Sequence, residues 1–134
     1  MTYPPVIVGP APIMDALVLR FGGKAREAIV AWGDRIYNPA GFDLTPSLLA
    51  HEAVHCERQT RIGLADWWNR YLSDVDFMVD EEVAAHRREY DVFCAEGRPR
   101  NERRRFLTFI AGRLSGPLYG RPIPLAKAVR LIKE

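Results

Sequence analysis

Apolar and polar positions along the chain follow two periods, and the helical one dominates. In LTPSLLAHEAVHCERQ apolar residues recur at helical spacing. Thr45 before Pro46 supplies a capping side chain and a first-turn proline, so a helix is expected from there to about Arg61, closed by Gly63. A second long helix, opened by Asp76 or Asp80 and running to about Cys94, is read in FMVDEEVAAHRREYDVF. With Val79 set at about 0° and roughly 100° turned per residue, Val83, His86, Tyr90 and Phe93 fall within about 40° of it and form one buried stripe. Glu82, at about −60°, borders that stripe, and Glu81, at about 200°, is expected to face solvent.

The rest of the chain is more punctuated. After a proline-rich lead, IMDALVLRF reads as a short apolar helix closed by Gly22 and Gly23. Ala28 to Trp32 and Arg35 to Tyr37 are β-rich runs around Gly33-Asp34, the pattern of a hairpin with a tight turn. LADWWNRYLSD reads as a short helix or aromatic-rich loop, Asn101 as the cap of a helix over ERRRFLTFIAGRLSG, and IPLAKAVRLI as a last short helix. Together these predict a mostly helical α+β fold with a small β-hairpin before the long first helix, in one domain over residues 1–134.

Composition adds limits rather than a function. The 134 residues are 48% hydrophobic and 27% charged, ordinary for one globular core, and the net charge is +2. RPRNERRR holds five Arg and one Glu, a local +4, which leaves the remainder near 2 − 4 = −2. The patch is read as a solvated loop and first helical turn, so no nucleic-acid partner is expected. No basic leader and no apolar run of membrane-spanning length is visible, which reads as a cytoplasmic protein without a membrane partner. Cys56 and Cys94 lack CxxC spacing and read as reduced thiols. Nothing in the pattern encodes an oligomeric state.

The first long helix carries the chemistry. HEAVH, His51 to His55, matches H-E-x-x-H, and on a helix its two histidines lie about 40° apart, so both imidazoles can reach one zinc ion while Glu52 flanks it as a base. Such a glutamate takes a proton from the metal-bound water. The competing reading is a pair of hydrogen-bonded core histidines with an exposed Glu52. Leu48, His51, Val54 and His55 share one sector, which turns the histidines inward, and a metal would partner them. A zinc site of this kind needs a third protein ligand. Glu82 is the better candidate by phase, while His86 suits a supporting partner, a satisfied core histidine or, less readily, the ligand itself. Tyr119, Tyr71 and Arg58 are candidate stabilisers of an oxyanion. Trp32, Trp67 and Trp68 read as core or groove wall.

These motifs resemble the gluzincins, zinc metallopeptidases with His-Glu-x-x-His on one helix and a glutamate ligand on a later one. HEAVH matches the first signature, and EVAAH, Glu82 to His86, resembles the second, of type E-x-x-A-D. The resemblance implies a zincin-like fold, one Zn2+ per chain held by His51, His55 and Glu82, Glu52 as the catalytic base, and a peptide or protein substrate. It also implies a β-edge, in IVAWGDRIYNP, that pairs with extended substrate. His86 stands where an aspartate is common. The wording of HEAVHCERQ, WWNRYL and PLYG is similar to minimal gluzincin domains, including phage and prophage proteins described as peptidases. The alternative is a non-catalytic zinc-bound structural or binding module of the same fold.

Overall fold

A computed structural model describes residues 2–134. The proline-rich lead, which carries no strand pattern, pairs at Val6–Val8 as β1, and the short apolar run forms helix α1, Met14–Phe21. A 3₁₀ turn over Gly23–Glu27 leads to β2, Val30–Trp32, which turns through Gly33 and Asp34 into β3, Arg35–Asn38. The hairpin is antiparallel with Trp32 opposite Arg35, and β1 adds in parallel with Val6 opposite Ile36, so the strand order is β1-β3-β2. β3 is therefore central, and β2 is an outer strand.

Helix α2 spans Pro46–Ile62, with the Thr45 hydroxyl accepting the Leu48 N–H and Gly63 closing it at φ 110. That positive φ costs glycine nothing and lets the chain turn at once into α3, Leu64–Ser73. Helix α4, Val75–Ala95, is capped by Asp74, whose carboxylate accepts the Phe77 N–H, rather than by Asp76 or Asp80. α5, Arg100–Leu114, starts after Pro99 and lacks a side-chain cap, so Asn101 lies inside the helix. α6 covers Leu125–Lys133. The chain is a mostly helical α+β fold with a small three-stranded sheet. Among the described residues no helix is long and apolar enough to cross a membrane.

Helix α4 is the hub, packed against α2, α3, α5 and α6. One apolar cluster joins Met14 and Leu17 of α1 to Trp67, Trp68 and Tyr71 of α3 and Met78 of α4. Another joins Val83 of α4 to Leu107, Ile110 and Leu114 of α5 and Ile132 of α6. A third seats Cys56 of α2 on Ala31 and Ile36 of the sheet. The polar residues of α2 and α4 meet where these two helices pack.

A candidate metal centre between two helices

His51, Glu52 and His55 all lie on the buried side of α2, at 5%, 5% and 4% exposure, and Glu82 and His86 of α4 are buried against them. Glu52 is thus inside, not exposed. The Nε2 atoms of His55 and His51 approach the two oxygens of Glu82 at 3.0 and 3.4 Å, and Glu52 Oε2 lies 3.6 Å from His51 Nε2. Two histidines one turn apart on one helix, and one carboxylate on the facing helix, thereby converge on one point. Tyr71 donates its hydroxyl to Glu82 at 2.7 Å, and the Tyr119 hydroxyl reaches the other oxygen at 3.4 Å.

Two overlapping groups have ligand atoms within 4.8 Å of one another: His51, Glu52 and His55, and His51, Glu82 and His86. Hydrogen bonding separates their roles. His86 Nδ1, the nitrogen that lies 3.6 Å from the Glu82 carboxylate, sits 2.6 Å from the Glu82 carbonyl oxygen, which only accepts, so that nitrogen carries a proton and is not a ligand atom. His51 Nδ1 is held 2.8 Å from Glu89 Oε1, and a proton there leaves Nε2 as the free ligand atom facing Glu82. The set that would hold a metal is therefore His51, His55 and Glu82, with Glu52 beside it. Two imidazole nitrogens and one carboxylate fit zinc and leave a fourth position open.

Glu89 and Arg113 carry no motif in the sequence. Glu89 bonds both His51 and Arg113 Nη2, so it supplies the orienting carboxylate one turn beyond His86. Its spacing from Glu82 and His86, i+7 and i+3, is the one signal the chain offers for it. Arg58, a candidate oxyanion donor, is instead committed to Glu81 through two bonds, Nε at 2.7 Å and Nη2 to the second oxygen. Glu81 does not face solvent: it is 1% exposed and also accepts the Trp67 indole N–H at 2.6 Å.

The electrostatics follow from burying three carboxylates and three imidazoles together. Burial opposes a charged His51, but Glu52 beside it and hydrogen bonds to Glu82 and Glu89 outweigh burial and raise its pKa to about 10. Burial also works against ionised Glu82, yet His55 and His51 hold its carboxyl well below the usual range. Glu52 is raised by burial, against the pull of His51 and His55. Burial and the neighbouring His51 charge lower His86 to about 3, leaving it neutral near pH 7.

A raised His51 pKa means that a metal must displace a proton to bind. Zinc binding near pH 7.5 is expected to release about one proton, and apparent affinity is expected to rise about tenfold per pH unit below pH 10. Calorimetry in buffers of different ionisation enthalpy measures this, and zero proton release would mean that His51 is already neutral before zinc binds.

Two cavities lie at the centre. One, of about 70 Å³, is the space of the centre itself, lined by His55 and Glu82 and walled by Phe21, Trp67, Trp68 and Tyr71, and the other, of about 320 Å³, is walled by Lys24, Leu48, His86 and Arg113. His51, Glu52, Ile29 and Tyr119 line both. β2 borders the smaller one, but the Gln59 side chain donates to the Ala31 carbonyl at 2.9 Å and accepts the Gly33 N–H at 2.6 Å. The part of this outer strand and its lead-in that borders a cavity without that pairing is Ala28–Val30. No known protein family matches the chain, and no curated protein or solved structure matches it.

Proposed function

We propose that the chain is a zinc-dependent hydrolase of gluzincin type that cleaves amide bonds in a peptide or protein. The observation carrying this reading is the convergence of His51 Nε2 and His55 Nε2 on the Glu82 carboxylate, with buried Glu52 adjacent. When bound, zinc would lower the pKa of its water and polarise the substrate carbonyl. Glu52 takes the proton from that water at its carboxylate, and its raised pKa suits a group that must accept a proton and then hand it to the leaving amine. Glu89 keeps His51 oriented through Nδ1, and Tyr71 fixes Glu82. Tyr119, the looser of the two hydroxyls on Glu82, lines both cavities and serves as the donor to the developing oxyanion. An extended substrate lies along Ala28–Val30, adding a strand beside β2.

The first test is metal content after a metal-sparing purification, where about one zinc per chain is expected. Less than about a tenth of an equivalent would return the histidines to a purely structural role. A peptide-library digest with and without chelator then separates a hydrolase from a non-catalytic zinc-bound module of the same fold. In the same digest Glu52→Gln is expected to keep its zinc and lose about 10²–10⁴-fold in turnover, because the amide preserves shape but removes the proton acceptor. Undiminished turnover in that variant would take Glu52 out of the mechanism.

A further inference from the structure

The larger cavity has walls unlike the smaller one. Aromatic rings of Phe21, Trp67, Trp68 and Tyr71 surround the smaller space, whereas the larger carries two cations, Lys24 from the 3₁₀ turn and Arg113 from α5, with Leu48; Ile29 and Leu118 line both. Two glycines line the larger one. Gly112 has open space where a Cβ would stand, and Gly116 is required as glycine because a Cβ there would come within 2.7 Å of the Gly112 carbonyl oxygen.

Lys24 is exposed, stands on the wall of the larger cavity and is in no ion pair among the described residues. Arg113 is only partly satisfied: Nη2 is bonded to Glu89, while Nε is buried with no hydrogen-bond partner.

Resting on the hydrolase reading above, we propose that the substrate carries a carboxylate close to the scissile amide, received in the larger cavity by Lys24 with Arg113 behind it. Both sources of that group, a peptide C-terminus and an acidic side chain, present the same chemistry to the two cations.

Binding tests this without needing turnover. Zinc-loaded full-length chain is titrated with N-acetylvaline, N-acetylvalinamide and N-acetylvalyl-glutamyl-amide, followed by NMR shifts. At least one carboxylate probe is expected to bind about three- to fivefold more tightly than N-acetylvalinamide, and which one does so identifies the source. Lys24→Gln should abolish the difference, and Gly112→Leu, which fills open space without a clash, should weaken both carboxylates while leaving the melting temperature at or above the parent's. Equal affinity for all three probes overturns the proposal. So does a carboxylate preference that survives Lys24→Gln, since the metal alone would then hold the anion. If the preference depends on Lys24 but no peptide is cleaved, the anion site stands and the hydrolase reading falls.

Discussion

Glu82→Ala is expected to cost at least about 100-fold in zinc affinity and to leave no measurable hydrolysis, whereas Glu52→Gln keeps the metal. The difference lies in what each carboxylate touches. Glu82 meets both Nε2 atoms, at 3.0 and 3.4 Å, while Glu52 is 3.6 Å from His51 Nε2 alone. Removing Glu82 also strips the acceptor from the Tyr71 hydroxyl, which is buried with it, so some lost stability is expected whether or not metal is present. Glu82→Gln controls for this: the amide keeps the shape and an acceptor for Tyr71 but is a poor zinc ligand. Competition against a chromogenic chelator measures both variants, and melting temperature with and without excess zinc shows how much of the loss is metal-linked. Full zinc retention in Glu82→Gln would shift the ligand role to Glu52, the other carboxylate facing the histidines.

Local signals read well where backbone chemistry dictates them. Thr45-Pro46 sets the start of α2 through a real hydroxyl cap, and Gly33-Asp34 produces the hairpin. β1 escapes because its three residues have no alternation long enough to register, and its pairing is to β3, a strand separated from it by a helix. Of the centre, the two histidines, Glu52 and Glu82 are legible from H-E-x-x-H spacing and helical phase. Glu89 and Arg113 are not, since a carboxylate that orients a histidine carries no motif of its own until α4 and α5 are brought together.

Phase on α4 is the instructive failure. Periodicity makes the apolar stripe through Val79, Val83, Tyr90 and Phe93 the buried face, yet Val79, Tyr90 and Phe93 are only half-buried. The deepest residues are Met78, Glu81, Glu82, Ala85, His86 and Glu89, which centre about 90° away from that stripe. Hydrophobic periodicity assumes that carboxylates avoid the core. In this helix the three glutamates have partners waiting in Arg58, Trp67, His51, His55, Tyr71 and Arg113, so its most buried face is also its most acidic.

Glu81→Ala therefore becomes a stability experiment. Although it adjoins a proposed ligand, Glu81 receives the Arg58 guanidinium and the Trp67 indole N–H and makes no contact with the histidine Nε2 atoms. Its removal leaves a buried indole donor without an acceptor and a cation without a partner. Arg58 can recover water, its side chain being 29% exposed, so the penalty is smaller than for a fully buried pair. The expected loss is about 2–4 kcal/mol, a melting-temperature drop of roughly 10 °C, with the zinc equivalent unchanged. Acid should narrow the gap. Burial pushes the Glu81 carboxyl up, but Arg58 and Trp67 more than offset it and hold its pKa below the ordinary 4.5. The stabilisation it provides is thus complete above pH 4.5 and fades as pH falls through the lower folded value, where parent and variant converge. Thermal melts from about pH 7 down to about pH 3 follow this directly. A variant that melts within roughly 2 °C of the parent at neutral pH would remove the stabilising role of Glu81, and one that releases zinc would place Glu81 in the ligand role proposed for Glu82.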